Sequence, residues 1–164
     1  MIKRIIITEA MRRNILILIA SLLLVACQRN VVYSHFESVP LTGWEADSAL
    51  CYYVNMEDSV SDYEMQITLR HTDAYAYQNL WLFVGVFKDT VCITNDTIEC
   101  YLADERGMWL GGGLSIHELP LLYKDNYHFT QSGEYKISIV QGMREDTLMG
   151  IKEVGVKIIR NEQE

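Results

Sequence analysis

Two histidines lie near residues with which they could do chemistry. His71 precedes Asp73 by two positions, so both side chains could share one face of a strand and bind a metal ion. A protein metal site usually needs more ligands than such a pair supplies. Ser115 precedes His117, but Gly113-Leu114-Ser115-Ile116-His117 lacks the second glycine of a hydrolase nucleophile elbow. We therefore expect neither a catalytic site nor a metal site.

Three successive glycines, Gly111-Gly112-Gly113, could in principle cradle a phosphate group. They have neither the lysine nor the following helix of a P-loop. Backbone freedom at a bend or a bulge is the simpler interpretation. The sequence accordingly predicts no nucleotide and no other cofactor.

Aromatic and polar side chains give a stronger indication of binding. The loop 70–79 concentrates them between two predicted strands, where a rigid scaffold would present them to a partner. In the alternative interpretation, Arg70 and Asn79 hold the loop's own carbonyl groups. Aromatic rings could also stack on sugars, although most aromatic side chains fill cores. The candidate partner-binding residues are Arg70, Tyr75, Tyr77, Asn79 and Trp81, and the candidate sugar-stacking residues are Trp44, Tyr75, Tyr77, Trp81 and Trp109.

The elements that would position these residues are mostly strands. Apolar residues occupy every second position in 50–56, 65–69, 135–139 and 154–158, which is typical of strands with one buried face. A further short strand is predicted at 31–36. Residues 80–87 are apolar at nearly every position, which predicts a central strand packed on both sides.

Two further segments are predicted to turn. Residues 94–97 (Thr-Asn-Asp-Thr) indicate a hairpin turn, with Ile98, Cys100 and Leu102 on the returning strand. Residues 119–123 contain Pro120 and are expected to form a loop or one helical turn.

These patterns predict an all-β protein. Short strands, frequent turn signals and no sustained helical period after residue 26 favour a single antiparallel β-sandwich, either Ig-like or jelly-roll-like. The sandwich would occupy residues 27–164, with 27–30 as a tether. No linker or internal repeat divides this region.

The N-terminal residues 1–26 have the pattern of a bacterial lipoprotein signal peptide. Arg12 and Arg13 precede the apolar run 15–26, which ends in Leu24-Val25-Ala26-Cys27. Signal peptidase II would cut before Cys27, and acyl chains on that residue would hold the mature protein at a membrane. A transmembrane helix is excluded by length, because twelve residues span only ~18 Å of a ~30 Å hydrocarbon layer.

The mature chain would be strongly acidic. Removing residues 1–26 leaves 10 basic and 21 acidic residues, a formal charge of −11. Such a surface repels nucleic acid and anionic lipid headgroups. We therefore expect no nucleic-acid partner, and we attribute membrane binding to the acyl chains.

Cys51, Cys92 and Cys100 remain after lipidation of Cys27. Cys92 and Cys100 flank the predicted turn. A three-residue loop at 95–97 would place them opposite each other, and a two-residue loop would offset them. A Cys92–Cys100 disulfide is permitted in the oxidising envelope, with buried free thiols as the default.

Several sequence blocks resemble the gliding-motility lipoprotein family GldH. They are the loop 70–79 with Leu80-Trp81-Leu82-Phe83-Val84, the stretch from Asp89-Thr90 through Asp96-Thr97-Ile98-Glu99-Cys100 to Gly107-Met108-Trp109-Leu110-Gly111-Gly112-Gly113, Tyr123-Lys124 with Gly133-Glu134-Tyr135, and Gln141-Gly142-Met143-Arg144 with Leu148-Met149-Gly150-Ile151. Their order extends over nearly all of the mature chain. Ala76 departs from the pattern, where a proline is expected.

The resemblance implies a non-enzymatic envelope lipoprotein that serves as a structural or adaptor part of the gliding apparatus. Its partners would be other envelope lipoproteins or proteins of the gliding and secretion machinery, and relatives in bacteria that do not glide suggest a broader role in envelope assembly. Residues 28–30 lack the acidic cluster associated with surface export, so we expect an outer-membrane anchor facing the periplasm. A carbohydrate- or peptide-binding envelope lipoprotein is the alternative.

The triplet Asp-Ser/Thr-apolar resembles the O-glycosylation signal of such bacteria and occurs five times. Turn chemistry explains the same triplets equally well, because Asp, Ser and Thr favour turns before β-branched strand residues. The candidate modified residues are Ser48, Ser59, Thr90, Thr97 and Thr147.

Overall fold

A computed structural model gives the architecture and describes Asn14 and residues 30–161. The chain divides into two compact units, residues 1–30 and 31–164, and the fold concerns the second. Apart from Asn14, the predicted signal peptide and Cys27, the predicted lipidation residue, lie outside the described residues. No helix in the described part of the chain is long and apolar enough to span a membrane.

Strands form nearly all of the regular structure, as the period-two pattern predicts. The short β2 and β9 accompany eight longer strands. The strands are β1 (Val31–Ser38), β2 (Trp44–Glu45), β3 (Leu50–Met56), β4 (Asp62–His71), β5 (Asn79–Lys88), β6 (Val91–Tyr101), β7 (His117–His128), β8 (Gly133–Gln141), β9 (Thr147–Leu148) and β10 (Ile151–Arg160).

The strands pair as one long hairpin rolled up on itself. β1 pairs with β10, β2 with β9, β3 with β8, β4 with β7, and β5 with β6, all antiparallel. Further pairings join these ribbons into a first sheet of order β1-β10-β4-β7 and a second of order β3-β8-β5-β6. This nested order is that of a jelly roll, so the structure decides between the two predicted sandwich types.

One apolar core lies between the two sheets. Inward-facing residues of β4 and β5, such as Leu69, Leu80, Leu82 and Val84, are completely buried. The alternation arises because successive side chains of a strand point to opposite faces. Tyr52 crosses the core from the second sheet, and its hydroxyl donates to the Val154 carbonyl oxygen in the first sheet at 2.6 Å.

The predicted hairpin turn at 94–97 is wrong. β6 runs unbroken through these residues, and the turn lies earlier, at Asp89 and Thr90, with Asp89 at a φ of 53°. Asp96 is accommodated in the strand because its carboxylate accepts from the Tyr123 hydroxyl at 2.7 Å and pairs with Lys124 at 2.9 Å. Turn-forming residues are tolerated here since β6 is an edge strand.

The Cys92–Cys100 disulfide is wrong for the same reason. Both residues lie on β6, eight positions apart, which separates them by ~26 Å along a strand, far beyond disulfide reach. Cys51, Cys92 and Cys100 are free thiols, and of these only Cys100 is buried.

Two other expectations also fail. Residues 119–123 lie within β7 instead of forming a loop, and Pro120 is tolerated because β7 is at the edge of its sheet. β5 is central in its sheet, as predicted, but it is not packed on both sides. Trp81 and Phe83 on its outer face are 38% and 45% exposed.

The two ends of the sandwich differ in their connections. At one end, which we call the entry end because β1 begins there at Val31, short connections join the strands, such as residues 89–90 and 129–132. The opposite end, which we call the loop end, carries the longer connections 39–49, 72–78, 102–116 and 142–150. Loop residues at this end are therefore positioned by the last residues of several strands.

Leu82→Ala tests the sandwich core. The substitution leaves a cavity between the sheets, and we expect the free energy of unfolding to fall by about 2–5 kcal/mol. Urea denaturation followed by circular dichroism measures it. Leu122→Ala removes an exposed leucine on β7 and should change stability by at most about 0.5 kcal/mol. Equal losses in both variants would contradict the assignment of the core.

Candidate functional site

The connection 72–78 crosses from the first sheet to the second and is held by a buried tyrosine. Tyr75 is 2% exposed, and its hydroxyl donates to the Asn79 carbonyl oxygen at 2.7 Å. The Thr72 amide donates to the Gly150 carbonyl oxygen at 2.9 Å. Burial raises the pKa of Tyr75. Tyr75 therefore anchors the loop and offers no surface to a partner.

Asp73 joins this loop to the connection 102–116. Its carboxylate accepts from Trp109 Nε1 at 3.0 Å and from His117 Nε2 at 2.8 Å. These hydrogen bonds, that from His117 first, lower the pKa of Asp73. A charge-assisted hydrogen bond holds both partners in fixed positions, so the two loops form one unit.

His71 lies beneath this unit in an aromatic cluster. It is completely buried, and its ring centroid is 4.5 Å from that of Trp109 and 5.2 Å from that of His117. Burial lowers the pKa of His71, although the Thr72 carbonyl oxygen near Nδ1 opposes the shift. The histidine is therefore an uncharged packing residue at neutral pH.

The arrangement does not assemble a metal site or a hydrolase triad. Within residues 30–161, no three His, Cys, Asp or Glu side chains are grouped to hold a metal ion. His117 bonds Asp73, but Ser115 makes no hydrogen bond to His117 in this part of the chain. Cys100 is no better nucleophile, because burial raises the pKa of its thiol to about 12.

A cavity of about 380 Å³ opens beside β5 at the loop end. Three of the five predicted partner-binding residues, Tyr77, Asn79 and Trp81, form one wall, and residues 142–145 form the other. The Tyr77 hydroxyl donates to the Glu145 carboxylate at 2.5 Å, which raises the pKa of Tyr77. We call this cavity the Trp81 pocket.

The wall formed by residues 142–145 is fixed from below. Gln141 is 2% exposed, its Nε2 donates to the Glu145 carbonyl oxygen, and its Oε1 accepts from the Met143 amide. The Gly142 amide donates to the Trp81 carbonyl oxygen at 2.7 Å. A Cβ at position 142 would lie 3.1 Å from the Phe83 ring, so glycine lets this wall approach the aromatic side chains closely.

Arg70, the fourth predicted residue, lies elsewhere. It is on the outer face of the first sheet, where its guanidinium stands 3.9 Å from the centroid of Phe36. It also pairs with Glu118 and Glu153, each at 2.6 Å. Arg70 thus ties neighbouring strands together, and the structure does not bring it to the Trp81 pocket.

Three of the five predicted sugar-stacking residues pack against other side chains of the protein. Trp44 and Tyr75 are buried in the core, and Trp109 lies against His71. Only Tyr77 and Trp81 of that set line the pocket. The other wall, residues 142–145, was not among the predicted binding residues, and its only sequence signal was the family-like block Gln141-Gly142-Met143-Arg144.

Comparison with known proteins identifies the family. The family model described as GldH lipoprotein matches residues 31–158. The gliding motility lipoprotein GldH homolog of Christiangramia forsetii is 32% identical over 145 residues, covering 84% of this chain and 88% of the relative. The gliding motility lipoprotein GldH of Flavobacterium johnsoniae is 31% identical over 151 residues, covering 87% and 93%. This chain belongs to the GldH lipoprotein family.

Membership of the GldH family confirms the resemblance drawn from the sequence blocks. The family consists of lipoproteins of gliding motility, which gives this chain a cell-envelope location. The matched range includes the whole Trp81 pocket and the two loops that Asp73 joins, 72–78 and 102–116.

Solved structures add only a remote likeness. The infectious bursal disease virus VP2 subviral particle gives a TM-score of 0.34 at 15% identity, covering 78% of this chain and 30% of the viral chain. Dimeric latent PorU from Porphyromonas gingivalis gives 0.35 at 7% identity, covering 81% and 13%. Neither carries functional information for this GldH-family chain.

The five candidate glycosylation residues are mostly accessible. Ser48 lies in the connection 39–49, Thr90 in the β5–β6 turn, Thr97 on β6 and Thr147 on β9, and all four are exposed. Ser59 is half-buried in a turn whose amides donate to Asp58. Glycosylation at these positions stays a prediction.

Acidification should destabilise the domain through His71. Because its pKa is lowered in the folded state, the unfolded chain takes up a proton first as the pH falls below about 6.5. The stabilisation that comes from keeping His71 uncharged is fully present above pH 6.5 and is lost as the pH falls towards the folded-state pKa. Urea denaturation at pH 7 and pH 5 should give a smaller decline for His71→Phe than for the wild type. An equal loss of stability between pH 7 and pH 5 in His71→Phe and in the wild type would contradict this role of His71.

Asp73→Ala should loosen the connection 102–116. The substitution removes the acceptor shared by Trp109 and His117, so we expect faster amide hydrogen exchange in residues 104–116. Exchange measured by mass spectrometry provides the comparison. Asp125→Ala, at an exposed aspartate on β7, is the control and should leave this segment unchanged. Unaltered exchange in Asp73→Ala would refute the role of Asp73.

Proposed function

We propose that this domain is a non-enzymatic adaptor of the gliding machinery that binds another envelope protein at the Trp81 pocket. Acyl chains on Cys27 would anchor it at the membrane. Family membership supports the gliding role. The use of His71, Asp73 and His117 in packing and loop bonding supports a binding function over a catalytic one.

The observation that carries the proposal is the position of the pocket. It lies at the loop end, and the chain enters the sandwich at Val31, at the other end of the sheets. Strands of this length extend for ~30 Å. Cys27 is four residues before Val31, so the connecting chain can span at most ~14 Å. A lipid at Cys27 would therefore tether the domain by its entry end and leave the pocket, at the other end of the strands, accessible to a partner.

Anchoring would make weak contacts sufficient. Two proteins held at the same membrane meet at a high effective concentration, so a single pocket can support association without large buried area. Residues 28–30 (Gln-Arg-Asn) lack the acidic cluster associated with surface export, which supports an outer-membrane anchor that faces the periplasm, where gliding and secretion proteins would be accessible.

A photo-crosslinking amino acid at position 79 tests the proposal in the native host. We expect one discrete adduct with an envelope protein, which mass spectrometry of the purified adduct would identify. Adding Trp81→Ala should weaken its formation about tenfold, because exposed tryptophans are frequent binding hot spots. Colony spreading should fall in the same strain.

The matched control places the crosslinker at position 53. Tyr53 is an exposed aromatic residue on β3 of the same sheet, at 59% exposure, but lies outside the pocket. It should give no corresponding adduct, and Tyr53→Ala should leave spreading intact. Normal spreading of the Trp81→Ala strain, or equal adducts at both positions, would refute the adaptor site.

A further inference from the structure

Two aromatic side chains on the central strand β5 of the second sheet are partly exposed. Trp81 and Phe83 point outward from β5, whereas Leu80, Leu82 and Val84 on its inner face are completely buried. Phe87, further along the same outer face, is covered by Lys136, whose Nζ is 4.6 Å from the ring centroid. Across the described residues, Trp81 and Phe83 have no such cation.

Two carboxylates flank Trp81 without a cationic partner. Glu99 is the register neighbour of Trp81 on β6 and lies beside the pocket, outside its lining, and Glu145 lies across the pocket from Trp81. Glu99 accepts hydrogen bonds from Asn79 Nδ2 at 2.5 Å and from the Tyr101 hydroxyl at 2.9 Å. Glu145 accepts a hydrogen bond from the Tyr77 hydroxyl. Neither carboxylate forms an ion pair within residues 30–161.

The same three groups occur on the first sheet with a cation in place. There, the ring of Phe36 and the carboxylates of Glu118 and Glu153 surround the guanidinium of Arg70. An aromatic face attracts a cation through its quadrupole, and carboxylates hold it by charge-assisted hydrogen bonds. Trp81 and its two neighbouring carboxylates, Glu99 and Glu145, present the same aromatic and carboxylate groups, and no cation of the described chain is paired with either carboxylate.

We infer that the Trp81 pocket binds an arginine or lysine side chain projecting from a partner protein, placed over Trp81 between Glu99 and Glu145. The inference rests on the proposed adaptor function and specifies the chemistry of its partner. The acidic mature chain, with a formal charge of −11, favours a basic partner surface. A neutral sugar could stack on the Trp81 ring but would bring no positive charge to Glu99 and Glu145.

Arg144 also lines the pocket, and its charge gives a further test of the inference. Its side chain is exposed and forms no ion pair among the described residues. A second cation beside the site repels an incoming arginine or lysine. Removing this charge should therefore tighten binding, whereas removing either carboxylate should weaken it.

The test uses the full chain purified from its host and three probes. The first is the blocked peptide acetyl-Gly-Gly-Arg-Gly-Gly-amide, the second is the same peptide with neutral citrulline, and the third is chitotriose. The chain has three tryptophans, and the indole N–H signal of Trp81 in NMR spectra is assigned by its loss in Trp81→Phe. Titration of each probe against this signal gives its affinity.

We expect the arginine peptide to bind about tenfold more tightly than the citrulline peptide. The double variant Glu99→Gln/Glu145→Gln should remove this preference, and Arg144→Gln should raise affinity about two- to threefold. The control Glu57→Gln/Glu134→Gln changes two exposed glutamates at the entry end and gives the same net charge. It should bind like the wild type.

Several results would overturn the inference. They are equal affinity for both peptides, no shift with either peptide, or a larger shift with chitotriose, which would instead indicate a sugar site. None of these results contradicts the adaptor function, provided that Trp81→Ala still weakens formation of the crosslinked adduct about tenfold. Loss of the adaptor function is recognised separately, by normal spreading of the Trp81→Ala strain.

Discussion

Burial of two apolar sheet faces against each other is the interaction on which the rest of this molecule depends. It fixes which side of each strand is inside, since a shift of one residue would expose the whole apolar set. Leu82 and Ile67, on opposite sheets, are both essentially inaccessible to solvent. The outer faces do not have to pack against the other sheet: there Arg70 lies over Phe36 and Lys136 over Phe87, whereas Trp81 and Phe83 remain partly exposed.

The nested strand order converts this core into a molecule with two different ends. The antiparallel pairs are nested: β1 pairs with β10, β3 with β8, β4 with β7, and β5 with β6. Each long strand therefore carries the chain from one end of the sandwich to the other. The entry end receives tight connections, and the loop end receives the long ones. Segments far apart in sequence meet there: Tyr77 bonds Glu145, and Trp81 contacts Met143 through its amide. A pocket at the loop end is thus a product of topology.

That origin explains what the sequence could and could not predict. Alternation in β3, β4, β8 and β10 is a local consequence of one buried face, so these strands were predictable. β6 was misread because Asn95 and Asp96 favour turns locally, and only Tyr123 and Lys124, more than twenty residues away, satisfy Asp96 in a strand. Tyr77, Asn79 and Trp81 were predicted as candidate binding residues because they lie in one loop and the strand after it, and the structure places all three on one wall of the pocket, whereas no local pattern could show that residues 142–145 form the opposite wall.

The polar groups of the loop end divide into those that hold the loops and those that face outward. Asp73, Tyr75 and Gln141 hydrogen-bond to neighbouring loops or strand ends, so the connections around the pocket are fixed before a partner arrives. Glu99 and Glu145 accept hydrogen bonds from Asn79 and Tyr77 but form no ion pair in the described chain. Preorganisation lowers the entropic cost of binding. A pocket held in place by these hydrogen bonds, with two carboxylates that have no paired cation, is the arrangement on which the proposed binding of a basic side chain depends.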